Sequence, residues 1–149
     1  MKWTKDRSSL LTLICVAVFA ALLLAADVLA FRWIGWYVAW RGMDPRSVGR
    51  MTATLYAASV FGWICLVSLW RLLSAIRGGA VFIPENVGRL RRISWCCAGA
   101  ALIFLVSGAY YAPFLIIAVA AAFMMLLVRV VKNVFQQAVS MKDELDLTI

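Results

Sequence analysis

The sequence predicts an all-α fold, an integral membrane four-helix bundle with short loops and a cytoplasmic C-terminal helix extension. Three stretches without a charged residue carry this prediction: nineteen residues over 8–26, twenty over 51–70 and thirty-six over 93–128. A membrane-spanning helix needs roughly 20 apolar residues, each rising about 1.5 Å. The first two stretches are therefore long enough for one span each, and the third is long enough for two.

The composition agrees with this prediction. Hydrophobic residues make up 65% of the 149 residues, and the mean hydropathy is +0.92. In a soluble domain the apolar share is about 45 to 50%. A water-soluble core of this size could not bury so much apolar surface, so a lipid bilayer is expected to cover it.

The third stretch needs a turn if it is to cross twice. Its Tyr-Tyr-Ala-Pro sequence over 110–113 predicts one, because Pro lacks a backbone donor and disfavours a helical residue before it. The predicted spans, all in a single domain over 1–149, are 9–31, 51–73, 93–109 and 113–131, followed by a tail over 132–149.

A cleaved signal peptide is the alternative for the first span, since Lys2, Lys5 and Arg7 precede its apolar run. That run, over 10–26, is longer than the roughly 7 to 15 residues of a signal-peptide core. We therefore expect an uncleaved helix.

The distribution of basic residues predicts the orientation. With four spans, 11 of the 15 Lys and Arg residues fall on one side and four on the other, whereas three spans would give 8 against 7. Basic residues accumulate on the cytoplasmic side of membrane proteins. Both termini are therefore expected in the cytoplasm. The eleven are Lys2, Lys5, Arg7, Arg71, Arg77, Arg89, Arg91, Arg92, Arg129, Lys132 and Lys142, and the four are Arg32, Arg41, Arg46 and Arg50.

The residue types argue against several classes of activity. The excess of basic residues would suggest nucleic acid binding in a soluble protein, but the membrane orientation rule explains it here, so no direct nucleic acid contact is expected. The chain has no His, which excludes imidazole-ligated haem, His-based triads and most catalytic zinc sites. The four cysteines form no Cys-x-x-Cys pair and are interpreted as small helix residues. Neither enzyme activity nor a cofactor is predicted.

Asp27 is the only acidic residue within or beside a charge-free stretch. A carboxylate inside a membrane often couples to protons or cations, and small multidrug transporters carry one in their first span. A small transporter or channel subunit using Asp27 is therefore the alternative function. Its place near the outer end of the predicted first helix instead favours an interfacial carboxylate that pairs with Arg32 or is hydrated.

Aromatic residues follow Asp27 at Trp33, Trp36, Tyr37 and Trp40, a spacing that gathers them on one face of a helix. Such amphipathic rings settle at the head-group boundary, and a ligand cage built from them is the alternative. Small residues also recur every four positions in the spans, which lets helices approach closely. They would serve packing within the bundle or between copies, so a homo-oligomer remains open.

The central loop leads into Arg89, Arg91 and Arg92, which lie just inside the predicted membrane boundary. Each basic residue at that level contributes roughly 1 kcal/mol of attraction to anionic lipid. We interpret these residues as a lipid contact of the bilayer, with protein docking as the alternative. Gly78 and Gly79 are expected to end the second helix, and Pro84 to begin the third.

The tail continues an apolar repeat at alternating spacings of four and three, which is typical of a coiled-coil seam. We expect the fourth helix to run on into the cytoplasm and to pack this stripe on the central loop or on a partner. The stripe consists of Leu127, Val131, Val134, Ala138, Met141 and Leu145. The candidate partner-binding residues are Val131, Val134, Ala138, Met141 and the acidic Asp143, Glu144 and Asp146.

The chain resembles a known family in two motifs. The loop residues Gly79, Phe82, Glu85 and Asn86 and the ending over 142–149 are similar to bacterial membrane proteins grouped as domain of unknown function 2975, or YoaS-like. The resemblance implies a bacterial inner-membrane protein. Members often lie beside a small helix-turn-helix regulator, so the resemblance suggests an interaction or regulatory protein that tethers such a regulator. It carries over no catalytic residue.

The orientation is tested with reporter fusions. A periplasm-active reporter is expected to be active at Gly42 and inactive at Gly79 or after Ile149, because the central loop and the tail share the basic side. A cytoplasm-active reporter at the same three positions serves as the control and should give the reverse pattern. Periplasmic activity at the C-terminus would contradict four spans.

Overall fold

The computed structural model describes residues 2–148, with side chains from Arg7 onward. It contains four helices, α1 (Lys2–Trp40), α2 (Arg46–Arg77), α3 (Pro84–Ser107) and α4 (Phe114–Thr148), and no strand in the described part. All four are long and apolar enough to cross a membrane. The predicted all-α, four-helix membrane fold is confirmed, and α4 continues as one helix through the predicted C-terminal extension.

Glycines end the first two helices. Gly42 and Gly79 have positive φ angles of 64° and 89°. After each, the next backbone N–H reaches back to the helix, from Met43 to Val38 and from Ala80 to Ala75, both at 3.0 Å. This is the Schellman arrangement, which satisfies carbonyls at a helix end. The predicted end of α2 at Gly78 and Gly79 is confirmed, and the same device turns the chain after α1.

The central loop over 78–83 is fixed by a buried side chain. Asn86 is fully buried and donates to the backbone oxygens of Ala80 and Val81, each at 2.8 Å, while its Oδ1 accepts from Arg89 at 2.6 Å. Ile83 caps α3 without a side-chain hydrogen bond. Asn86 therefore ties the loop to the first turn of α3, where a polar capping residue would otherwise be expected.

Each helix packs on the next one in the sequence. α1 lies against α2, α2 against α3 and α3 against α4. Small residues allow the close approaches, since a Cβ added at Gly62 would lie 3.2 Å from Leu23, and one added at Gly99 would lie 2.8 Å from Phe61. The four-residue repeat of small residues in α2, which includes Gly62, thus serves packing within the chain.

The ends of the charge-free stretches coincide in space. Leu72 and Ile93 belong to one buried cluster, and Val128 packs against it. Each of these three residues is adjacent in sequence to the charged residue at one end of a charge-free stretch. At the opposite end, the Tyr110 hydroxyl donates to the backbone oxygen of Arg50 at 3.1 Å. The twenty residues of α2 between these levels span about 30 Å, which matches the hydrocarbon thickness of a bilayer.

Two names follow from this arrangement. The basic end contains the start of α1, the central loop and the end of α4, and the aromatic end contains the turns over 41–45 and 108–113. The second of these turns divides the longest charge-free stretch, as its Tyr-Tyr-Ala-Pro sequence predicts. The helices run past the predicted spans, α1 to Trp40 and α4 to Thr148, because a helix need not stop at the membrane boundary. The spans themselves remain predictions. The orientation count includes Lys2 and Lys5, and their side chains are not among the described ones.

Replacing Asn86 tests what holds the central loop. Asn86→Ala leaves two loop carbonyls without their donors and is expected to lower the free energy of unfolding by about 1 to 3 kcal/mol. The measurement is thermal unfolding of the detergent-solubilised protein. Asn133→Ala, at an exposed position of α4, is the matched control and should change little. Equal Tm values for the two variants would contradict this role for Asn86.

Candidate functional site

The carboxylate of Asp27 in α1 is directed toward α2. Its Oδ2 accepts hydrogen bonds from Ser59 Oγ at 2.7 Å and from Trp63 Nε1 at 3.0 Å. The hydroxyl of Tyr56 donates to the backbone oxygen of Asp27 at 3.0 Å. The second carboxylate oxygen, Oδ1, is buried and has no hydrogen-bond partner among the described residues. One oxygen is thus bound by two donors of α2, and the other is enclosed without a donor from the described residues.

This position corrects the expectation for Asp27. Ser59 and Trp63 lie in the middle of the charge-free stretch of α2, so Asp27 lies in the interior of the apolar layer instead of at its outer edge. The expected pairing with Arg32 is wrong, because both donors to the carboxylate come from α2. The sequence reasoning ended the first span at Phe31, with a helix extension or a surface helix after it, and α1 is continuous to Trp40. The spacing of Ser59 and Trp63, one helical turn apart on α2, was the signal that it missed.

A carboxylate at this depth is costly unless donors compensate it. The hydroxyl and indole donors supply part of that compensation. The arrangement can also hold the protonated acid, because a carboxylic acid keeps an acceptor oxygen for Ser59 and Trp63. The two donors of α2 therefore hold the Asp27 side chain against that helix.

A second polar group joins α2 to the turn after α3. The buried Thr54 hydroxyl is within 2.8 Å of Ser107 Oγ and also hydrogen-bonds the Tyr110 hydroxyl. The guanidinium of Arg50 lies over the Tyr110 ring, 5.2 Å from its centroid. These contacts fix the aromatic end of α3 against α2.

The predicted aromatic series divides between two surroundings. Trp33 and Tyr37 line a cavity of about 320 Å³, and Trp36 and Trp40 are not part of its lining. Trp33, Trp36 and Trp40 are all exposed, and the rings of Trp36 and Trp40 stack with their centroids 6.3 Å apart. The four rings therefore do not form one cage. The remaining lining residues of the cavity are Ile34, Met51, Leu55, Phe104, Tyr111 and Phe114.

A tyrosine pair closes this cavity at the aromatic end. The hydroxyl oxygens of Tyr37 and Tyr111 are 2.5 Å apart, and Arg41 Nε donates to the Tyr37 hydroxyl at 3.2 Å. The hydrogen bond with Tyr37, followed by burial, raises the pKa of Tyr111, and hydrogen bonding to Tyr37 raises the pKa of Arg41. Near neutral pH the Tyr111 hydroxyl and the Arg41 guanidinium therefore keep their protons. The hydrogen-bonded pair of Tyr37 and Tyr111 links α1 to the turn before α4.

Three of the four cysteines lie at helix contacts, and Cys15 is exposed. Cys65 of α2 and Cys97 of α3 pack against the buried cluster of Leu72 and Ile93, Cys96 is buried, and all four thiols are free. Among residues 2–148, no group of three His, Cys, Asp or Glu side chains could hold a metal ion.

The predicted stripe of α4 is exposed. Val131, Val134 and Met141 are exposed, and Ala138 is half-buried. The central loop packs instead on a neighbouring face of the helix, where the rings of Phe135 and Phe82 lie 5.6 Å apart and Val139 is buried. The central loop therefore does not cover the stripe. The acidic residues beyond it, Asp143, Glu144 and Asp146, are exposed as well.

The three basic residues that were predicted to act together, Arg89, Arg91 and Arg92, have different surroundings in the structure. Arg89 is bound to Asn86, whereas Arg91 lines a cavity between α3 and α4 together with Arg129 and Lys132. Arg92 is exposed and is not part of this lining. Sequence reasoning could not join Arg91 to the two cations of α4, because the register between the two helices is not visible in the sequence.

The comparisons with known proteins agree with the resemblance in the two motifs. No curated protein and no solved structure matches the chain. A family model described as a protein of unknown function, DUF2975, matches residues 10–149 and so extends over parts of all four helices and the whole central loop. The chain therefore belongs to the DUF2975 family of proteins of unknown function.

Proposed function

We propose that this protein is a docking protein of the bacterial inner membrane that holds a small basic helix-turn-helix regulator on its cytoplasmic tail. In this proposal the basic end faces the cytoplasm, in accord with the distribution of Lys and Arg. The observation that carries it is the continuous helix α4, which runs past Arg129, the residue that ends the last charge-free stretch, to Thr148 with an apolar stripe exposed.

The exposure of the stripe supports the proposal of a protein partner. Val134 is 57% exposed, Met141 62% and Leu145 65%. These residues lie on the basic side of the level marked by Arg129, so lipid chains do not cover them in the proposed orientation. Burying such side chains contributes about 25 cal/mol for each Å² of apolar surface. An amphipathic helix of a partner would fit along this stripe, with its anchors at the same alternating spacing.

The charges beyond the stripe support a basic partner. Asp143, Glu144 and Asp146 oppose a single Lys142 in the last turns of α4, and all are exposed. A helix-turn-helix regulator carries a basic surface, because it must neutralise DNA phosphates. Complementary charges mainly raise the association rate. Arg92, exposed at the base of the tail, is the remaining candidate contact for acidic groups of the partner.

Substitution in the stripe tests the docking. Val134→Asp with Met141→Asp is expected to shift the captured regulator from the membrane fraction to the soluble fraction, because each carboxylate would be buried without a partner. The measurement is fractionation followed by immunoblotting of the regulator. Gln136→Asp with Ser140→Asp adds the same charge on another exposed face and should retain the regulator. Recovery of no cytoplasmic partner by the full-length protein, or equal recovery with both double variants, would overturn the proposal.

The acidic residues at the end of the tail make a separate contribution to binding of the regulator. Asp143→Asn with Asp146→Asn is expected to slow association of the regulator about two- to tenfold at low salt and to reduce its salt dependence, with little change in the dissociation rate. Surface-based binding kinetics at two ionic strengths measure both rates. An unchanged association rate would remove the electrostatic part of the proposal and leave the apolar part standing.

A second candidate function, a small transporter or channel subunit, is supported by one observation. The Asp27 carboxylate lies beside the middle of the charge-free stretch of α2, and its Oδ1 has no hydrogen-bond partner among the described residues. Such a carboxylate could carry a proton or a monovalent cation between the two sides. This function would use α1 and α2 and would not need the tail.

Asp27→Asn separates the two candidates. The amide oxygen can still accept from Ser59 and Trp63, so folding is expected to stay nearly unchanged, whereas Asp27→Leu leaves both donors unpaired and should cost about 1 to 3 kcal/mol. Under the docking proposal, Asp27→Asn also leaves regulator capture unchanged. Proton or cation flux in proteoliposomes that is lost in Asp27→Asn and kept in Asp143→Asn would instead favour transport.

A further inference from the structure

We propose that the cavity between α3 and α4 at the basic end binds the head group of an anionic phospholipid. Its phosphate would lie among Arg91, Arg129 and Lys132, and an acyl chain would descend along Trp95. This inference concerns a site on the membrane-facing side of the helix pair and does not depend on regulator docking.

Two helical stripes face each other across the cavity. Arg91 and Trp95 are four residues apart on α3, while Arg129 and Lys132 are three apart on α4, so each pair projects from one side of its helix. The cavity has a volume of about 330 Å³, which is room for a phosphate group and part of a glycerol backbone. Its lining residues are Arg91, Ser94, Trp95, Ala98, Met125, Arg129 and Lys132.

The lining changes from charged to apolar along the helix axes. On α3 the chain passes from Arg91 to Ala98 as it leaves the basic end, and on the antiparallel α4 the same direction leads from Lys132 to Met125. Cations therefore surround the mouth, and apolar side chains form the deeper part. A molecule with an anionic head and an apolar chain matches this gradient, whereas inorganic phosphate would leave the apolar part unused.

The charges in the cavity have no counterion in the part of the protein that the structure describes. No acidic residue lines it, and none of its three cations forms an ion pair with the described part of the chain. Like charges that are held close together repel one another. An anion that enters the cavity is therefore attracted by all three cations at once. Basic pockets between membrane helices on the cytoplasmic side are a known setting for anionic head groups.

The depth of the cavity suits a phospholipid phosphate. Arg129 directly follows Val128, which packs on the buried cluster of Leu72 and Ile93 that marks the end of the charge-free stretches. Trp95 is 72% exposed beside this level, where amphipathic rings meet lipid head groups. Within the lining, the Ser94 hydroxyl donates to the Met125 backbone oxygen at 3.4 Å and joins the two walls.

The test measures lipid binding to the full-length protein in mild detergent by native mass spectrometry. Phosphatidylglycerol is expected to bind in preference to phosphatidylcholine. Arg129→Gln with Lys132→Gln should weaken phosphatidylglycerol binding by about 30-fold. The matched control, Arg77→Gln with Lys142→Gln, removes the same charge at the same end outside the cavity and should change binding less than about threefold.

Two further measurements distinguish the lipid from a free anion. Trp95→Ala should weaken phosphatidylglycerol binding and leave the weak binding of glycerol phosphate unchanged, because only the lipid has a chain to contact the ring. Equal losses in both double variants would show general attraction to the basic end and overturn the site. Competition by inorganic phosphate at the lipid's own concentration, or no preference over phosphatidylcholine, would overturn it as well.

Discussion

Every backbone N–H and C=O in the apolar part of this chain needs a partner within its own helix, because a bilayer core supplies no water to bond. The four long helices satisfy this constraint, and the remaining features depend on it. Helices that cross about 30 Å of hydrocarbon bring the ends of their charge-free stretches to common levels. This is why Leu72, Ile93 and Val128 meet in one cluster and why cations from α3 and α4 face the same cavity.

Small and polar side chains then decide how the helices meet. Apolar side chains gain little by leaving lipid for a helix contact, so close packing and hydrogen bonds carry more of the association than they do in water. Gly62 and Gly99 admit Leu23 and Phe61, while Ser59 with Trp63 holds the Asp27 carboxylate against α2. The Asp27 group thus has a structural role whatever else it does, because it is the main polar link between α1 and α2 in the described residues.

The two ends of the molecule have different chemistry. The aromatic end carries hydrogen-bonded tyrosines and short turns. The basic end carries the central loop, the lipid-facing cavity and the free part of α4. Phe135 and Val139 brace α4 against the loop, so the exposed stripe beside them projects from a fixed base. A docking surface on a rigid helix loses less conformational freedom on binding than one on a mobile tail.

The sequence by itself determined the features that depend on local chemistry and on the bilayer. It predicted four helices, the turn at 110–113, the end of α2 at Gly78 and Gly79 and the helical extension of α4, because charge-free length, Pro and Gly act within a few residues of where they stand. The family resemblance rested on equally local motifs.

Only the tertiary structure decided which side chains meet. Asp27 faces Ser59 and Trp63 instead of Arg32, Arg91 joins Arg129 and Lys132 instead of Arg89 and Arg92, and Phe135 instead of the predicted stripe packs on the central loop. Each of these outcomes depends on the rotation and register of helices that are distant in sequence. A shift of one residue turns a side chain by about 100° around its helix, since a turn contains 3.6 residues. The hydropathy pattern of a helix surrounded by lipid is nearly the same in every direction, so it does not encode that rotation.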